Sequence, residues 1–415
     1  MQKKVTIIGG GIIGLSTAYF LQKEGCEVTI VDRSNMNSGA SYSNAGYVCP
    51  SHFIPLAVPG VVRSGLRWML DASSPLYIKP NLNRDFLKWA WAFNKSANSR
   101  LVQKNAIHLR DFTIFSQELF QTIKKEEQFS FQYDKKGLLM LCQTERQLEK
   151  ELEILTMANS LNVHAKEISK AELKIMEPSI EINGVGGVYF KNDHHSTPSD
   201  FMQQLKAYLK SKGVHMFTNE RVLDFNMKQG KIDSVVTDKQ TLHSDEFVMA
   251  SGSWSADLCK KIGLKLLLQA GKGYSMQTEY KTGISIPTIL AEAKVAVSPM
   301  DGFTRFAGTM EIAGVNHNIN RKRVGVIAKA VHQYYPSIKL STSEIEAVTC
   351  GLRPLSPDGL PYIGKPQSCE NMTIASGHAM LGWTLGPGTG KLVSELILNK
   401  KSSLDISPYH PNRRF

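Results

Sequence analysis

Residues 3–33 read KKVTIIGGGIIGLSTAYFLQKEGCEVTIVDR, and the fold turns on this stretch. Val5 to Ile8 is a short apolar run rich in β-branched residues, the composition of a buried parallel strand. Beyond the glycines, apolar residues recur at helical spacing, and a second apolar run, VTIVD, closes on Asp32. Gly9, Gly11 and Gly14 therefore fall at a strand-to-helix turn. A lone GxGxxG is weak, whereas here a whole βαβ unit with a terminal acid fits within about 30 residues. In that setting Gly9 permits the tight turn, Gly11 lets a pyrophosphate approach the backbone, and Gly14 allows close packing of helix on strand. The helix N-terminus adds unpaired N–H groups and the positive end of its dipole. Asp32 is positioned to accept hydrogen bonds from a ribose hydroxyl. Glycines that merely make a turn are the plain alternative.

The chain of 415 residues is too long for one ordinary core and predicts two domains; 42% hydrophobic and 21% charged residues match a soluble globular protein of enzyme size. The first apolar run is only a few residues long and has no small-residue cleavage site after it, so it reads as a strand and not as a signal peptide. No stretch approaches the about 18 apolar residues that span a bilayer. Six cysteines without CxxC spacing fit free thiols in a reducing, cytoplasmic setting better than a disulfide framework or zinc site. A net charge of +12 admits nucleic acid, an anionic membrane surface, or an acidic substrate and cofactor. With no run of five basic residues and no nucleic-acid fold signature, nucleic acid drops out.

Beyond the first unit, SGASYSNAGYV (38–48) is dense in glycine and hydroxyls and can run close against a bulky ligand, or be an ordinary polar loop. Between about Pro55 and Asn98, VPGVVRSGLRWML and RDFLKWAWAFNKS set Trp68, Trp89 and Trp91 among Arg and Lys. That composition suits peripheral contact with an anionic membrane; two core helices with inward aromatics suit it slightly better. A charged helix follows over TERQLEKELEILTMANSLN, then a helix from about Pro198 to Gly213, and EFVMASGSWSADLCKKIG repeats the strand, glycine and helix order. From Leu264 to about Arg305 short strands with turns predict an antiparallel sheet. The C-terminal part returns to glycine-rich loops in CGLRPLSPDGLPYIGK and GHAMLGWTLGPGTG. The expected fold is α/β: a discontinuous Rossmann-like domain (1–52, 147–262 and 345–415) with an inserted α+β substrate domain built on an antiparallel sheet (53–146 and 263–344).

Cofactor loops spread over the whole chain imply a larger, more buried cofactor than a nicotinamide. The segments VTIIGGGIIGLSTAYFLQKEGCEVTIVDR, SNAG, FVMASGSWS, GKGYS, GLRPLSPDGLPYIG and SGHAMLGWTLGPGTGKLVSELI resemble the D-amino acid dehydrogenase family, within the superfamily of D-amino acid, glycine and sarcosine oxidases. The resemblance implies FAD under an antiparallel substrate sheet. It assigns Gly9, Gly11 and Gly14 to the pyrophosphate, Asp32 to the adenosine ribose and Val222 to the adenine end, with Ile12, Ile13 and Arg33 also among the cofactor-binding residues. Ser41, Ser43, Asn44, Ala45 and Gly46 would line the cofactor path, with Ser251, Gly252 and Trp254 in a second loop. Gly382, Trp383, Thr384 and Gly386 would stand at the flavin, where the following helix, with Gly388 and Thr389, faces the pyrimidine and its dipole can stabilise negative charge.

Oxidising an amine carbon through a flavin, by hydride transfer from the α-carbon to N5, needs no metal and no enzyme nucleophile; the protein positions and polarises. A carboxylate is best gripped by a guanidinium, and the arginine of GLRP, Arg353, is similar to the one that binds substrate carboxylate in the related oxidases. Lys272, Tyr274 and His378 are placed by the resemblance near flavin or substrate, with structural roles as the alternative. His52, His194 and His195 have weaker claims. The last two, adjacent on a strand, face opposite ways and do not suggest a metal. Cys350 lies near where some sarcosine oxidases attach flavin covalently, but non-covalent FAD is favoured. The expected reaction converts D-amino acids, D-proline and its hydroxylated relatives among them, to imino acids, with electrons leaving to a quinone or other carrier at the inner membrane face. An oxygen-using glycine or sarcosine oxidase and a non-catalytic flavoprotein are the alternatives.

Overall fold

The computed structural model describes residues 2–60, 74, 76–79 and 83–415. The first βαβ unit forms as expected, with strand Lys4–Ile8, helix Ile12–Lys23 and strand Glu27–Val31. These two strands pair in parallel, Val5 opposite Val28. They sit inside a six-stranded sheet that runs His215–Phe217, Glu27–Val31, Lys4–Ile8, Glu246–Met249, Met372–Ser376, Tyr362–Gly364 from edge to edge. The first five strands are parallel and the last is antiparallel. Ile7, Ile30 and Val248 are wholly buried, because helices cover such a sheet. One of these, Gly386–Ile397, comes from the other end of the chain and packs on helix Ile12–Lys23.

Among the described residues a second sheet has nine strands, led by Thr349–Leu355, Gln269–Thr278, Phe303–Ile312 and Val295–Met300. Two features differ from expectation. Gln269–Thr278 and Phe303–Ile312 are ten residues long, and parallel pairs (Thr288–Leu290 with Leu138–Cys142, Phe303–Ile312 with Leu76–Ile78) make the sheet mixed instead of antiparallel. The boundaries also shift. Ala165–Ser169 and Gly186–Phe190, expected with the cofactor part, pair next to Leu138–Cys142, and Thr349–Leu355 pairs with Gln269–Thr278. Both corrections have one cause: strand partners are chosen by hydrogen bonding across long separations, to which local periodicity is blind.

Helix Arg84–Ser96 divides the tryptophan expectation. Trp89 is buried and donates its Nε1–H to Leu355 O at 2.9 Å, while Trp91 is 64% exposed, with Lys95 Nζ 5.0 Å from its ring centroid. Trp68 lies outside the described residues. No helix among the described residues is long and apolar enough to cross a membrane.

Candidate active site

Residues from both sheets line one cavity of about 2060 Å³. Ordinary small-molecule pockets run to about 300–1,000 Å³, so this one has room for a dinucleotide and a second molecule together. At one end lies the first glycine turn, where Gly9 takes a φ of +113°. Asp32 anchors that turn: Oδ2 accepts the Gly10 N–H at 2.7 Å, and Oδ1 accepts the Ser34 N–H and hydroxyl, each at 2.7 Å. Ser41 Oγ accepts the Ile12 N–H at 3.0 Å, bringing the hydroxyl-rich loop against the start of the helix. Arg33 stacks on Trp254, 4.4 Å from ring centroid, and Trp254 stacks in turn on His317. Ile12, Ile13, Ser43, Asn44, Ala45, Val222, Ser251 and Gly252 continue this wall, and Gly382, Trp383 and Thr384 close it.

Four expected residues stand elsewhere. Gly14, Gly46, Gly386 and Lys272 do not border the cavity. A Cβ at Gly46 would overlap Ser196 O, and one at Gly386 would come within 2.5 Å of Ile12 Cγ1, so these glycines serve backbone and helix packing. Gly388 likewise packs against Phe112 and Ser116. Lys272 lies 3.3 Å from Glu311 and donates to Asn316 Oδ1 (2.8 Å) and Asn318 O (2.7 Å). Alternation along the strand explains this: Lys272 faces away from Gly273 and Arg353. Tyr274 borders the cavity, but its hydroxyl donates to Glu311 Oε2 at 2.9 Å and burial pushes its pKa up to about 12. His378 also borders the cavity. Its Nε2 shares a 2.9 Å hydrogen bond with Thr389 Oγ1, and burial pulls its pKa down to about 3, leaving it neutral.

Arg353 is the exception among these polar groups. Its side chain is half-buried on the cavity wall, and Nη1 donates to Thr309 O at 3.1 Å. No carboxylate lies within ion-pairing distance of it among the described residues. Burial alone lowers its pKa to about 10. A partly desolvated cation without a counter-charge is stabilised when an anion reaches it. Two local features seat the group. A Cβ on Gly273 would overlap the guanidinium. Thr309 adopts φ +61°, rare for a β-branched residue, within a bulge that turns its carbonyl toward Nη1. Gly273→Ala is therefore expected to push Arg353 off its seat and, at about 1–3 kcal/mol for overpacking, raise KM roughly 5- to 150-fold. Steady-state kinetics on protein with full flavin absorbance checks it; unchanged KM would mean the side chain settles elsewhere without loss.

Sequence reasoning missed three features here. Arg305 donates from Nη1 to Tyr42 O and Asn44 O, both at 2.8 Å, and so clamps the hydroxyl-rich loop. Burial takes its pKa down to about 10. Thr309, which seats Arg353, is the second. The third is Asp193, beside the two histidines, which themselves turn to Tyr133 (His194, 2.9 Å) and Pro299 O (His195, 2.9 Å). Asp193 is wholly buried, and one ligand-type atom each of Asp193, Cys49 and His52 lies within 4.8 Å of the others. Period-two alternation applied to TRFAGTM could have flagged Arg305; nothing local flags Asp193.

A glycine turn opening into a cavity with room for a dinucleotide, with Arg353 on its wall, defines a protein of the dinucleotide-binding class. The family model for FAD dependent oxidoreductases (DAO) matches residues 4–396, and the chain belongs to that family. It is 32% identical to the D-amino acid dehydrogenase of Vibrio vulnificus over 98% of this chain and 99% of that protein. It is 30% identical to the D-amino acid dehydrogenase of Helicobacter pylori over 95% of each. Glycine oxidase from Geobacillus kaustophilus has the same fold, with a TM-score of 0.76 and 22% identity over the whole of both chains. The protein is thus an FAD-dependent oxidoreductase. Its residues fit the cofactor: Gly252, at φ +57°, has nothing within 4 Å of the point a Cβ would occupy, so the second loop leaves open room beside the turn.

Proposed function

We propose that this protein is a D-amino acid dehydrogenase that converts D-amino acids to imino acids, which water hydrolyses to oxo acids and ammonia. The observation that carries the reading is Arg353, a half-buried guanidinium on the cavity wall with no carboxylate partner among the described residues. The full-length similarity to D-amino acid dehydrogenases supports it. FAD, when bound, supplies the acceptor for the hydride of the substrate α-carbon. Gly9 to Gly11 and the helix start at Ile12 and Ile13 would hold its pyrophosphate, Asp32 and Arg33 its ribose, and the Val222 backbone its adenine. Ser41, Ser43, Asn44 and Ala45 would run along it, with Gly382, Trp383 and Thr384 at its far end. Arg353 would grip the substrate carboxylate in bidentate fashion, fixing the α-carbon for hydride loss.

In this reading FAD is held without a covalent bond, and the six-stranded sheet carries FAD while the nine-stranded sheet forms the substrate roof. Cys350, three residues from Arg353, is directed to the opposite strand face, with Sγ 3.7 Å from His317 O. The electron acceptor is a quinone or another carrier. Exposed Trp91 beside Lys95 supports contact with an anionic inner membrane face from the cytoplasmic side. The test is anaerobic bleaching of the flavin spectrum by a panel of D- and L-amino acids, D-proline, glycine and sarcosine. D-amino acids are expected to bleach it and L-forms not; bleaching by glycine or sarcosine alone, or by nothing, overturns the reading.

A further inference from the structure

His52 stands on the cavity wall with no part in the chemistry so far. Its Nδ1 is 3.2 Å from Ser51 Oγ, and Ser51 Oγ donates to Asp193 Oδ2. A hydroxyl has one proton to give. With that proton directed to an ionised Asp193, the Ser51 oxygen can only accept from the imidazole. Nδ1 therefore carries the ring proton, and Nε2, which has no hydrogen-bond partner among the described residues, presents its lone pair. Asp193 is held in this role by two donors, the Ser51 hydroxyl and the Ser51 N–H at 3.1 Å.

The histidine loop and the arginine strand meet at one turn. Thr384 Oγ1 donates to Tyr47 O at 2.8 Å and accepts from the Cys49 N–H at 3.5 Å, just ahead of His52. At the other end of that turn, His378 pairs with Leu355, two residues beyond Arg353. An amino acid gripped at Arg353 is thus in the same cavity as an imidazole with a free acceptor nitrogen.

We propose that His52 is the base that takes a proton from the ammonium group of the bound amino acid, while Asp193, acting through Ser51, holds the ring in the accepting tautomer. This rests on the amino-acid reading above. An ammonium nitrogen has no lone pair with which to expel hydride from the α-carbon. One N–H bond breaks, its proton bonds to His52 Nε2, and nitrogen keeps the electron pair. The Cα–H pair then leaves as hydride to FAD while the nitrogen pair forms the C=N bond of the imino acid. The charge gained by His52 is met by the Asp193 carboxylate through the Ser51 hydroxyl.

Among the described residues Asp193, Cys49 and Tyr47 are titratable neighbours of the imidazole, the last 6.4 Å away between ring centroids with its hydroxyl bound to Thr288 O and Val297 O. Burial keeps the ring neutral, with a pKa near 4, and raises that of Asp193 to about 7. Below about pH 7 Asp193 takes up a proton, the Ser51 hydroxyl is released to turn toward Nδ1, and the Nε2 lone pair is lost. The base works above that pH and fails below it.

The experiment is anaerobic stopped-flow bleaching of His52→Gln and Asp193→Asn from pH 6 to 10 with the fastest D-amino acid of the panel, on protein checked for full FAD content. General-base removal costs typically about 100-fold or more, so His52→Gln is expected to bleach about 100-fold slower at pH 7. The deficit should close as pH rises through the ammonium pKa of the substrate, which a merely structural role would not produce. Asp193→Asn should abolish the inflection near pH 7. Nitrogen-15 NMR of wild-type histidines at pH 8 gives an independent readout and is expected to find His52 protonated at Nδ1. An unchanged pH profile in His52→Gln, or an Nε2–H tautomer in the wild type, overturns the inference and leaves the function standing. Wild-type flavin bleached by no amino acid overturns the function itself, and the inference with it.

Discussion

Arg353→Met is expected to lower kcat/KM for D-amino acids roughly 30- to 4,000-fold while leaving the melting temperature unchanged or higher. The first effect follows from removing one side of a buried charge pair, about 2–5 kcal/mol, at a factor of ten per 1.4 kcal/mol. The second follows from the ground state. Before substrate arrives, Arg353 is a partly desolvated cation whose hydrogen bond among the described residues goes to the carbonyl of Thr309. Methionine fills similar space without that desolvation cost, so the empty protein loses one weakly compensated charge and little packing. The opposed signs make the test sharp. Substrate-dependent bleaching and a thermal melt are measured on the same preparation; a drop in melting temperature with bleaching intact would make Arg353 a structural residue.

Gly14→Ala is expected to yield protein that has lost FAD and unfolds at lower temperature. A Cβ at Gly14 would overlap the carbonyl oxygen of Gly9 and lie 3.0 Å from its carbon and 3.3 Å from Ile7 Cγ2. The obstacle is backbone, which cannot rotate away as a side-chain tip can. Helix Ile12–Lys23 must therefore move off strand Lys4–Ile8, at a cost of about 1–3 kcal/mol or more, and it carries the start of the pyrophosphate turn with it. Gly325→Ala is the control: Gly325 sits exposed in helix Arg321–Tyr334 with nothing within 4 Å of a Cβ, and alanine there gains about 1 kcal/mol of helix propensity. Flavin absorbance after gel filtration and thermal melts separate the two variants. A yellow, stable Gly14→Ala protein would refute the packing role.

Much of this site was legible in one dimension. The turn at Gly9 to Gly14, the strand ending on Asp32, the helix from Pro198 and the motif around Arg353 are set by residues within a few positions of each other, where steric and hydrogen-bonding requirements are strict. The glycine at 273 belongs to the same GKGYS motif as Lys272 and Tyr274. Strand alternation put the lysine and tyrosine on one face and Gly273 with Arg353 on the other, but periodicity alone does not say which face looks into the cavity. The pairing of Gly271 with Arg353 and the roofing loop at Ala40, packed on Gly351, decide that.

Local pattern by itself determined an α/β chain with a nucleotide turn at its start, and the resemblance carried by its motifs implied the flavin, because those signals arise from residues near in sequence. Only the tertiary structure decided that Lys272 pairs with Glu311 instead of reaching the cavity, that Arg305 holds a loop 261 residues earlier in the chain at Asn44, and that Asp193 reaches back 142 residues to Ser51 beside His52. The physical reason is the same in each case. A buried polar group must find a partner, and which partner it finds depends on strands and loops that become neighbours only when distant parts of the chain fold together.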